Sequence, residues 1–255
     1  MKRVILSILS VSAILLLWYP SIANYVNNSM HDITIQEYSD KLKTINKEKM
    51  YIDAIKWNED HSTYKYKDIL NIQDGMMGYI EINGYNIRLP IYHYDNNKSL
   101  EKGVGHNKDT SLPIGGKSTH CVLAGHSGMT HEKMFDDLVR MKIGDVFKIN
   151  VLNHICAYKV YDIQTVVPSK VNKYIKVQTN KDLCTLITCT PYGVNTHRLL
   201  VRGIRCDYNE EITSQSFNRN DKTPLWVLLS VIADLIFFNI LWNKLFRKKK
   251  DEENH

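Results

Sequence analysis

The sequence predicts a mainly β protein, built as an antiparallel barrel or sandwich, with a helical segment before it and an apolar segment at each end of the chain. Three observations support this fold class. Short strand-like runs recur from Gly78 onward with few helices between them. The pair Asn83-Gly84 joins two runs of alternating polarity, which is a strong hairpin signal. Two long apolar runs stand at opposite ends of the 255 residues.

The first apolar run covers Val4 to Ala23 and follows Lys2 and Arg3. Nearly uncharged residues behind a basic start predict a signal sequence or signal anchor over residues 1–23. Ser21-Ile22-Ala23 has the small-x-small pattern of a cleavage site, so retention and removal of this segment both remain open.

Residues 24–77 are predicted to form a helical, lid-like region. The segment is polar and rich in lysine, and Ile35, Tyr38, Leu42 and Ile45 recur at steps of three and four residues. This spacing places one apolar stripe along one or two amphipathic helices that lead into the core.

Residues 78–207 are predicted to form the β domain. Tyr79 to Ile82 and Tyr85 to Leu89 alternate on either side of the Asn-Gly pair. Only Lys133 to Met141 has a helical pattern within this region. The remaining strand-like runs are His120 to Ala124, Val146 to Leu152, Ala157 to Val167, Leu183 to Cys189 and Arg198 to Arg205.

The C-terminal part is predicted to consist of a linker over residues 208–223, a transmembrane helix over 224–242 and a basic cytoplasmic tail over 243–255. The apolar run approaches the ~20 residues that a spanning helix needs, and basic residues follow it. Asp234 inside it faces either a partner helix or cation, or is simply tolerated in a very apolar span. Both termini are then expected in the cytoplasm, with the β domain outside the cell membrane.

Charge and cysteine content narrow the function classes. The net charge of +6 arises partly from the basic terminal segments, which leaves too little positive charge on the β domain for a nucleic-acid interface. The five cysteines contain no C-x-x-C pair, which argues against a redox motif or zinc knuckle. An odd number of cysteines predicts at least one free thiol.

The stretch from Thr185 to Arg198 carries the strongest chemical signal. A strand-like run ends at Cys189, a turn rich in Pro, Gly and Asn follows, and the chain returns through Arg198. If the two strands pair, Cys189 and Arg198 lie side by side. A guanidinium there favours a thiolate and can hold an oxyanion, whereas the alternative is a buried structural cysteine and a surface arginine.

His126 is the candidate proton carrier. It follows an apolar run and lies between Gly125 and Ser127-Gly128. Its imidazole can move a proton between a thiol and a leaving amine, and the alternative is an ordinary turn histidine.

The residues around Cys189 resemble those of a known family. Thr185-Leu186-Ile187-Thr188-Cys189 matches the T-L-x-T-C motif of sortases, and the extension to Gly203 is similar to the class C, pilin-polymerising branch. Further upstream segments share this resemblance: Gly78 to Ile82, Leu89 to His93, Lys102 to His106, Thr110 to Gly116, and Gly125-His126. The resemblance implies an eight-stranded sortase β-barrel with a few short helices.

The same resemblance implies roles for the three residues. Cys189 would be the nucleophile, His126 the general acid or base, and Arg198 the clamp for substrate and oxyanion. The implied reaction cleaves a Leu-Pro-x-Thr-Gly-like sorting signal between Thr and Gly through a thioacyl enzyme. A lysine amine of a pilin subunit then resolves the thioacyl enzyme, and no cofactor or metal takes part.

Three other functions remain open at this point. A sortase with the same barrel could anchor surface proteins to cell-wall peptide. A cysteine protease would use water instead of an amine. A membrane-tethered assembly or binding protein would keep Cys189 only for packing.

One departure from the class C pattern concerns the lid. No Asp-Pro-aromatic motif precedes the barrel, because no proline lies between Pro20 and Pro90. Residues Ile55 to Asn58 either plug the site in its place or, as a helix face carrying Trp57, belong to the core.

Several other motifs are better explained by structure than by chemistry. Ser111 to Ser118 only partly matches a phosphate-binding loop, which predicts a surface loop. The pairs His120-Cys121 and His154/Cys156 lack a repeated zinc spacing. Cys184 and His197 lie at odd offsets from Cys189 and Arg198, respectively, and are predicted to point to the other sheet face.

Overall fold

The computed structural model describes residues 2–61, 64–207 and 223–252. The chain divides into two units, one of residues 28–219 and the other of residues 1–27 together with 220–255. The larger unit contains all the strands. The eight strands are β1 (Met76–Ile82), β2 (Ile87–His93), β3 (Val104–His106), β4 (Thr119–Ala124), β5 (Val146–Val151), β6 (His154–Val166), β7 (Asp182–Thr190) and β8 (His197–Arg205).

The strands close into one barrel in the order β1-β2-β3-β4-β7-β8-β6-β5. The pairs β2/β3 and β4/β7 are parallel, and the other neighbours are antiparallel. Closure removes free sheet edges, and the inward side chains fill the barrel. The predicted eight-stranded, mainly β fold is confirmed.

The described residues also form four α-helices: α1 (Lys2–Lys41), α2 (Lys47–Glu59), α3 (Asn97–Leu100) and α4 (Thr223–Glu252). The apolar stripe predicted for residues 24–77 is confirmed, because Ile35 and Tyr38 on α1 and Leu42 just after its end are buried. The Tyr38 hydroxyl donates to the Met77 carbonyl and accepts from the Leu152 N–H, both at 3.0 Å. These bonds fasten the second half of α1 to β1 and to the turn after β5.

The predicted terminal segments lie in helices. Residues 4–23 belong to the first half of α1, and residues 224–242 belong to α4. In the part of the chain that the structure describes, no helix combines the length and apolarity that crossing a membrane requires. The predicted linker lies outside the described residues except for Thr223, as do the last three residues of the predicted tail.

The structure corrects two local predictions. Lys133 to Met141 is not an α-helix, because only a short 3-10 helix forms there, at Asp136–Arg140. Leu138 within this helix is buried, as are its two flanking residues Phe135 and Met141, and this spacing of three positions is the period of a 3-10 helix.

The hairpin turn is also longer than the Asn83-Gly84 pair predicted. Ile82 pairs with Ile87, a 3-10 turn occupies Asn83–Tyr85, and Asn86 takes the left-handed conformation with φ of 57°. The Tyr85 hydroxyl donates to the Asp145 carboxylate at 2.5 Å, which holds the side chain of this longer turn.

Candidate active site

Cys189 and His126 meet because β4 and β7 are parallel neighbours. Ala124 pairs with Ile187, and the Gly125 N–H donates to the Ile187 carbonyl at 3.0 Å. His126 lies two residues after Ala124, just beyond the end of β4, and Cys189 lies two residues after Ile187 on β7. The carboxyl ends of parallel neighbours lie at the same edge of a sheet, so both side chains reach one end of the barrel.

Arg198 joins them through the antiparallel pair β7/β8. Cys189 and Arg198 are direct partners in the register, and directly opposed residues project to the same face of a sheet. Arg198 Nη1 donates to the carbonyls of Asn195 and His197, both at 3.0 Å. These two bonds hold one guanidinium nitrogen, and the other N–H donors of Arg198 are not bonded to any described residue.

Side-chain hydroxyls fix the backbone around the thiol. The Thr188 hydroxyl, which is buried, donates to the Gly125 carbonyl at 2.8 Å. The Ser127 hydroxyl donates to the Cys189 carbonyl at 2.6 Å. Each bond joins the strand that carries Cys189 to the loop that carries His126, so the separation of thiol and imidazole is set by hydrogen-bonded backbone.

The loop after β4 is held by close packing and by a carboxylate. A Cβ at position 125 would lie 2.6 Å from the Phe135 ring, so the close approach requires Gly125. The Phe135 N–H donates to the His126 carbonyl at 3.0 Å, and the Gly128 N–H donates to Asp136 at 2.7 Å. Burial raises the pKa of the Asp136 carboxyl, which the Gly128 bond partly offsets.

All three candidate residues line one open groove of about 490 Å³. Its floor is apolar and consists of Val122, Ala124 and Ile187 beside Cys189. An apolar surface with a few polar groups around it suits a short peptide that must be oriented for reaction. Cys189 is partly exposed, as are His126 and Arg198.

Two loops form the walls of this groove. The connection from β2 to β3 supplies one wall, and the residue after β3 adds to it. The connection from β6 to β7 supplies the other. The wall residues are Asp95, Asn97, Leu100 and Asn107 on the first side, and Pro168, Val171, Asn172 and Ile175 on the second.

A partly buried polar cluster anchors the second wall. Arg202 forms an ion pair with Asp162 at 2.6 Å, and its guanidinium lies over the rings of Tyr161 and Tyr174. His120 Nδ1 donates to the Lys176 carbonyl at 2.9 Å. Tyr174 and Lys176 flank Ile175, so the cluster positions the wall that faces Cys189.

The remaining cysteine and histidine predictions agree with the structure where it describes them. Cys184 is buried in the barrel core, on the other face from Cys189. His197 is not among the groove residues, and its Nδ1 lies 3.0 Å from the Thr196 hydroxyl. All five cysteines are free, which confirms the predicted free thiol.

The two His/Cys pairs, His120-Cys121 and His154/Cys156, make packing contacts and hydrogen bonds within the protein. His120 bonds to the Thr185 hydroxyl, Cys121 is buried, and the ring of His154 stacks on Tyr51 at 4.0 Å. The Cys156 thiol donates to the Ile114 carbonyl. Within the described ranges, no group of three or more His, Cys, Asp or Glu residues is arranged to hold a metal ion.

The stretch that resembles a phosphate-binding loop surrounds a second cavity, of about 770 Å³, at the opposite ends of β4, β7 and β8. The Gly116 N–H donates to the Asp182 carboxylate at 2.8 Å. A Cβ at position 115 would lie 2.7 Å from the same carboxylate, and φ of Gly115 is +70°. The two glycines therefore allow the loop to pack closely against the Asp182 carboxylate.

The N-terminal region does not plug the groove. Trp57 is buried, with its ring stacked on His61, and the Asn58 side chain accepts from the Leu112 N–H at 2.7 Å. Among the residues that the structure describes, none from α1 or α2 lines the groove of Cys189. The alternative in which Ile55 to Asn58 cover the site is therefore wrong, and Trp57 belongs to the core.

The sequence did not indicate the two walls. Asp95 and Asn107 have no motif around them, and Pro168 to Ile175 follow a strand without a periodic pattern. Their only signal is position, because loops that leave the strands beside a catalytic pair tend to carry binding residues.

Comparison with known proteins places these residues in a family context. Residues 80–205 match the family described as the sortase domain. Sortase D of Bacillus subtilis (strain 168) is 31% identical over 120 residues. That match covers 46% of this chain and 55% of the relative, so it spans about half of the relative's length.

Two solved structures of similar proteins each cover 69% of this chain. Sortase C1 from Streptococcus agalactiae superposes with a TM-score of 0.65 and 38% identity, covering 69% of this chain and 99% of that chain. Clostridium perfringens sortase C, solved with the C-terminal cell wall sorting motif, gives a TM-score of 0.62 and 44% identity, covering 69% and 98%.

Proposed function

Because the chain belongs to the sortase family, in its class C branch of cysteine transpeptidases, we propose that it cleaves a Leu-Pro-x-Thr-Gly-like sorting signal between Thr and Gly. The Thr carbonyl is then joined to a lysine amine of a pilin subunit, so that pilins are polymerised. One observation carries the proposal: Cys189, His126 and Arg198 line the same open groove.

The first half of the reaction makes a thioester. The Cys189 thiolate attacks the carbonyl carbon of Thr, and the negative charge moves to the carbonyl oxygen. A free N–H of Arg198 donates to that oxygen, because the guanidinium stays protonated at any working pH. The C–N bond then breaks, and His126 gives its proton to the departing amine of Gly.

The second half forms the isopeptide bond. A neutral lysine amine attacks the thioester carbon, and His126 accepts the proton that the amine loses. The C–S bond breaks and the Cys189 thiolate is restored. The cycle requires only these side chains and two polypeptide substrates, so no cofactor enters the proposed steps.

The test is to incubate the protein with a sorting-signal peptide, with and without a purified pilin that supplies the lysine. Mass spectrometry is expected to detect a thioacyl adduct on Cys189 and a lysine-linked product. Cys189→Ala should abolish both, whereas Cys206→Ala, at the end of β8, should retain both. Absence of product from the wild-type protein, with full-length covalent polymers retained on cells that carry Cys189→Ala, would instead support an assembly protein in which this cysteine only packs.

The nature of the acceptor separates the remaining alternatives. Cell-wall peptide amines and pilin lysines are offered in parallel, and preferential transfer to the cell-wall amine would identify an anchoring sortase with the same groove. Accumulation of the free acid in the presence of amine would identify a protease. The proposal expects pilin lysine to give the dominant product.

We also propose that the protein lies at the cell membrane with its barrel outside. The apolar runs in residues 4–23 and 224–242, each flanked by basic residues, support this placement. The test is protease treatment of intact cells. The barrel is expected to be digested from outside, and a tag attached after residue 255 is expected to survive.

A further inference from the structure

The groove contains a carboxylate that the proposed reaction does not use. Among the described residues that line the groove, Asp95 is the only acidic one. It is exposed, and its Oδ2 accepts from Asn107 Nδ2 at 2.9 Å. None of the ion pairs formed by the described residues includes Asp95. An oriented carboxylate without a protein cation can bind a cation of the substrate.

The barrel register gives the position of Asp95 relative to the thiol. A Cβ at Gly105 would lie 2.7 Å from Asp95 Cα, so the two backbones touch. Gly105 pairs with Ala124, and Ala124 pairs with Ile187, two residues before Cys189. Two strand spacings and two residues along a strand place Gly105 about 12 Å from Cys189.

This distance of about 12 Å limits which residues of a bound peptide can reach Asp95. The reacting carbonyl must lie at Cys189, and the residue just before Thr in the signal lies one to two residues, or about 3 to 7 Å, from it along an extended chain. The four-carbon stem of a lysine at this position spans most of the remaining gap. The attacking amine, in contrast, is held at the carbonyl itself and is too far away to contact Asp95.

We propose that Asp95 is a specificity determinant that binds a lysine or arginine side chain at the variable position x of the sorting signal. The inference rests on the proposed function, since it assigns one part of the substrate to that same groove. Arg198 lies beside Cys189 and Asp95 lies on the first wall, so the groove carries a positive and a negative charge at separate positions. A signal with a basic residue at x is oriented by both, and one with an acidic residue at x is disfavoured.

The test compares two peptides that differ only at x, Leu-Pro-Lys-Thr-Gly and Leu-Pro-Gln-Thr-Gly. Hydroxylamine serves as the acceptor, because it is uncharged at pH 7 and keeps the lysine acceptor out of the assay. The wild-type protein is expected to favour the lysine peptide by about 2- to 5-fold in kcat/KM, the range for an exposed ion pair. This preference should shrink as ionic strength rises.

Asp95→Asn is expected to remove the preference, so that the ratio of kcat/KM between the two peptides falls to about one. Asp95→Glu should keep part of it. Asp109→Asn is the matched control, because it removes the same charge from an exposed position near Asn107 that does not line the groove. It should leave the preference intact.

Two outcomes overturn the inference. One is an equal rate with both peptides in the wild-type protein, or a preference that survives Asp95→Asn. The other is a result with the glutamine peptide in which Asp95→Asn slows transfer to a lysine acceptor but not to hydroxylamine. The cation that Asp95 binds would then belong to the acceptor and not to the sorting signal. Absence of product from both peptides would count against the proposed function itself, so the two failures are distinguishable.

Discussion

Arg198 is the residue whose chemistry is least replaceable in the proposed reaction. The carbonyls of Asn195 and His197 hold its Nη1, and the planar guanidinium directs its other donors from a fixed position. Lysine keeps the charge but loses that geometry. We therefore expect Arg198→Lys to lower kcat by about 10²-fold, the usual cost of one lost oxyanion donor, as measured by thioacyl formation under single turnover.

The matched control for this substitution is Arg140→Lys, because Arg140 is exposed on the 3-10 helix and does not line the groove. It should leave kcat unchanged. Full activity of Arg198→Lys would show that charge alone is needed, and the role of Arg198 as a directed donor would then be wrong.

The three residues of the site differ in how far the sequence predicts them. Cys189 and Arg198 are separated by one turn, so a strand-turn-strand pattern is enough to place them side by side. His126 is more than sixty residues from Cys189, and only the parallel pairing of β4 with β7 brings them together. Neither periodicity nor propensity encodes that pairing, which explains why His126 was assigned by resemblance.

At the scale of elements, a single hydroxyl joins α1 to the barrel. Tyr38 is buried, and its OH bridges the Met77 carbonyl and the Leu152 N–H. Tyr38→Phe leaves both backbone groups unpaired without changing the packing of the ring. We expect a loss of about 1 to 3 kcal/mol in the free energy of unfolding, measured with urea.

The control for Tyr38 is Tyr192→Phe, since Tyr192 is 64% exposed. Its free energy of unfolding should remain within about 0.5 kcal/mol of wild type. If Tyr38→Phe is as stable as Tyr192→Phe, the bridging hydroxyl does not stabilise the contact between α1 and the barrel.

A second element, the wall after β6, depends on a neutral histidine. Burial lowers the pKa of His120 below its ordinary 6.5. Its Nδ1 donates to the Lys176 carbonyl while Nε2 accepts from the Thr185 hydroxyl. The unfolded chain therefore binds a proton at His120 more readily than the folded protein does. The contribution of His120 to the free energy of unfolding is fully present above pH 6.5 and falls as the pH drops below it.

We therefore expect His120→Gln to be less stable than wild type at pH 7.5 but to lose less stability between pH 7.5 and 5. Urea unfolding at several pH values measures this difference. His154→Gln, at an exposed ring, should keep the wild-type pH dependence. Parallel curves for wild type and His120→Gln would contradict the assignment.

Elements with a long periodic pattern were predicted well, and short ones were not. Seven residues of β1 and nine of β7 provide enough alternation to be recognised, whereas β3 has three residues and α3 has four. These two short elements owe their form to the barrel around them. The first wall of the groove lies beside these two short elements. Because they have no recognisable sequence pattern, the sequence does not predict the position of Asp95.

At the scale of the whole molecule, the site belongs to one of the two units. The barrel, the groove and the buried half of α1 all fall within residues 28–219. The order of strands around the barrel is set by pairings between distant segments, and strand patterns alone allow both a barrel and a sandwich. The choice of the sortase barrel therefore rested on the motif resemblance.

The unit of residues 28–219 is expected to fold and react without the rest of the chain. A protein limited to these residues should unfold cooperatively and form the thioacyl adduct at the full-length rate, as measured by circular dichroism and mass spectrometry. A second protein limited to residues 47–219 loses the burial of Ile35, Tyr38 and Leu42. It should be less stable by at least about 4 kcal/mol, since each large apolar side chain contributes roughly 1.5 to 3 kcal/mol. Equal stability of the two proteins would show that the buried half of α1 is not part of the folded core.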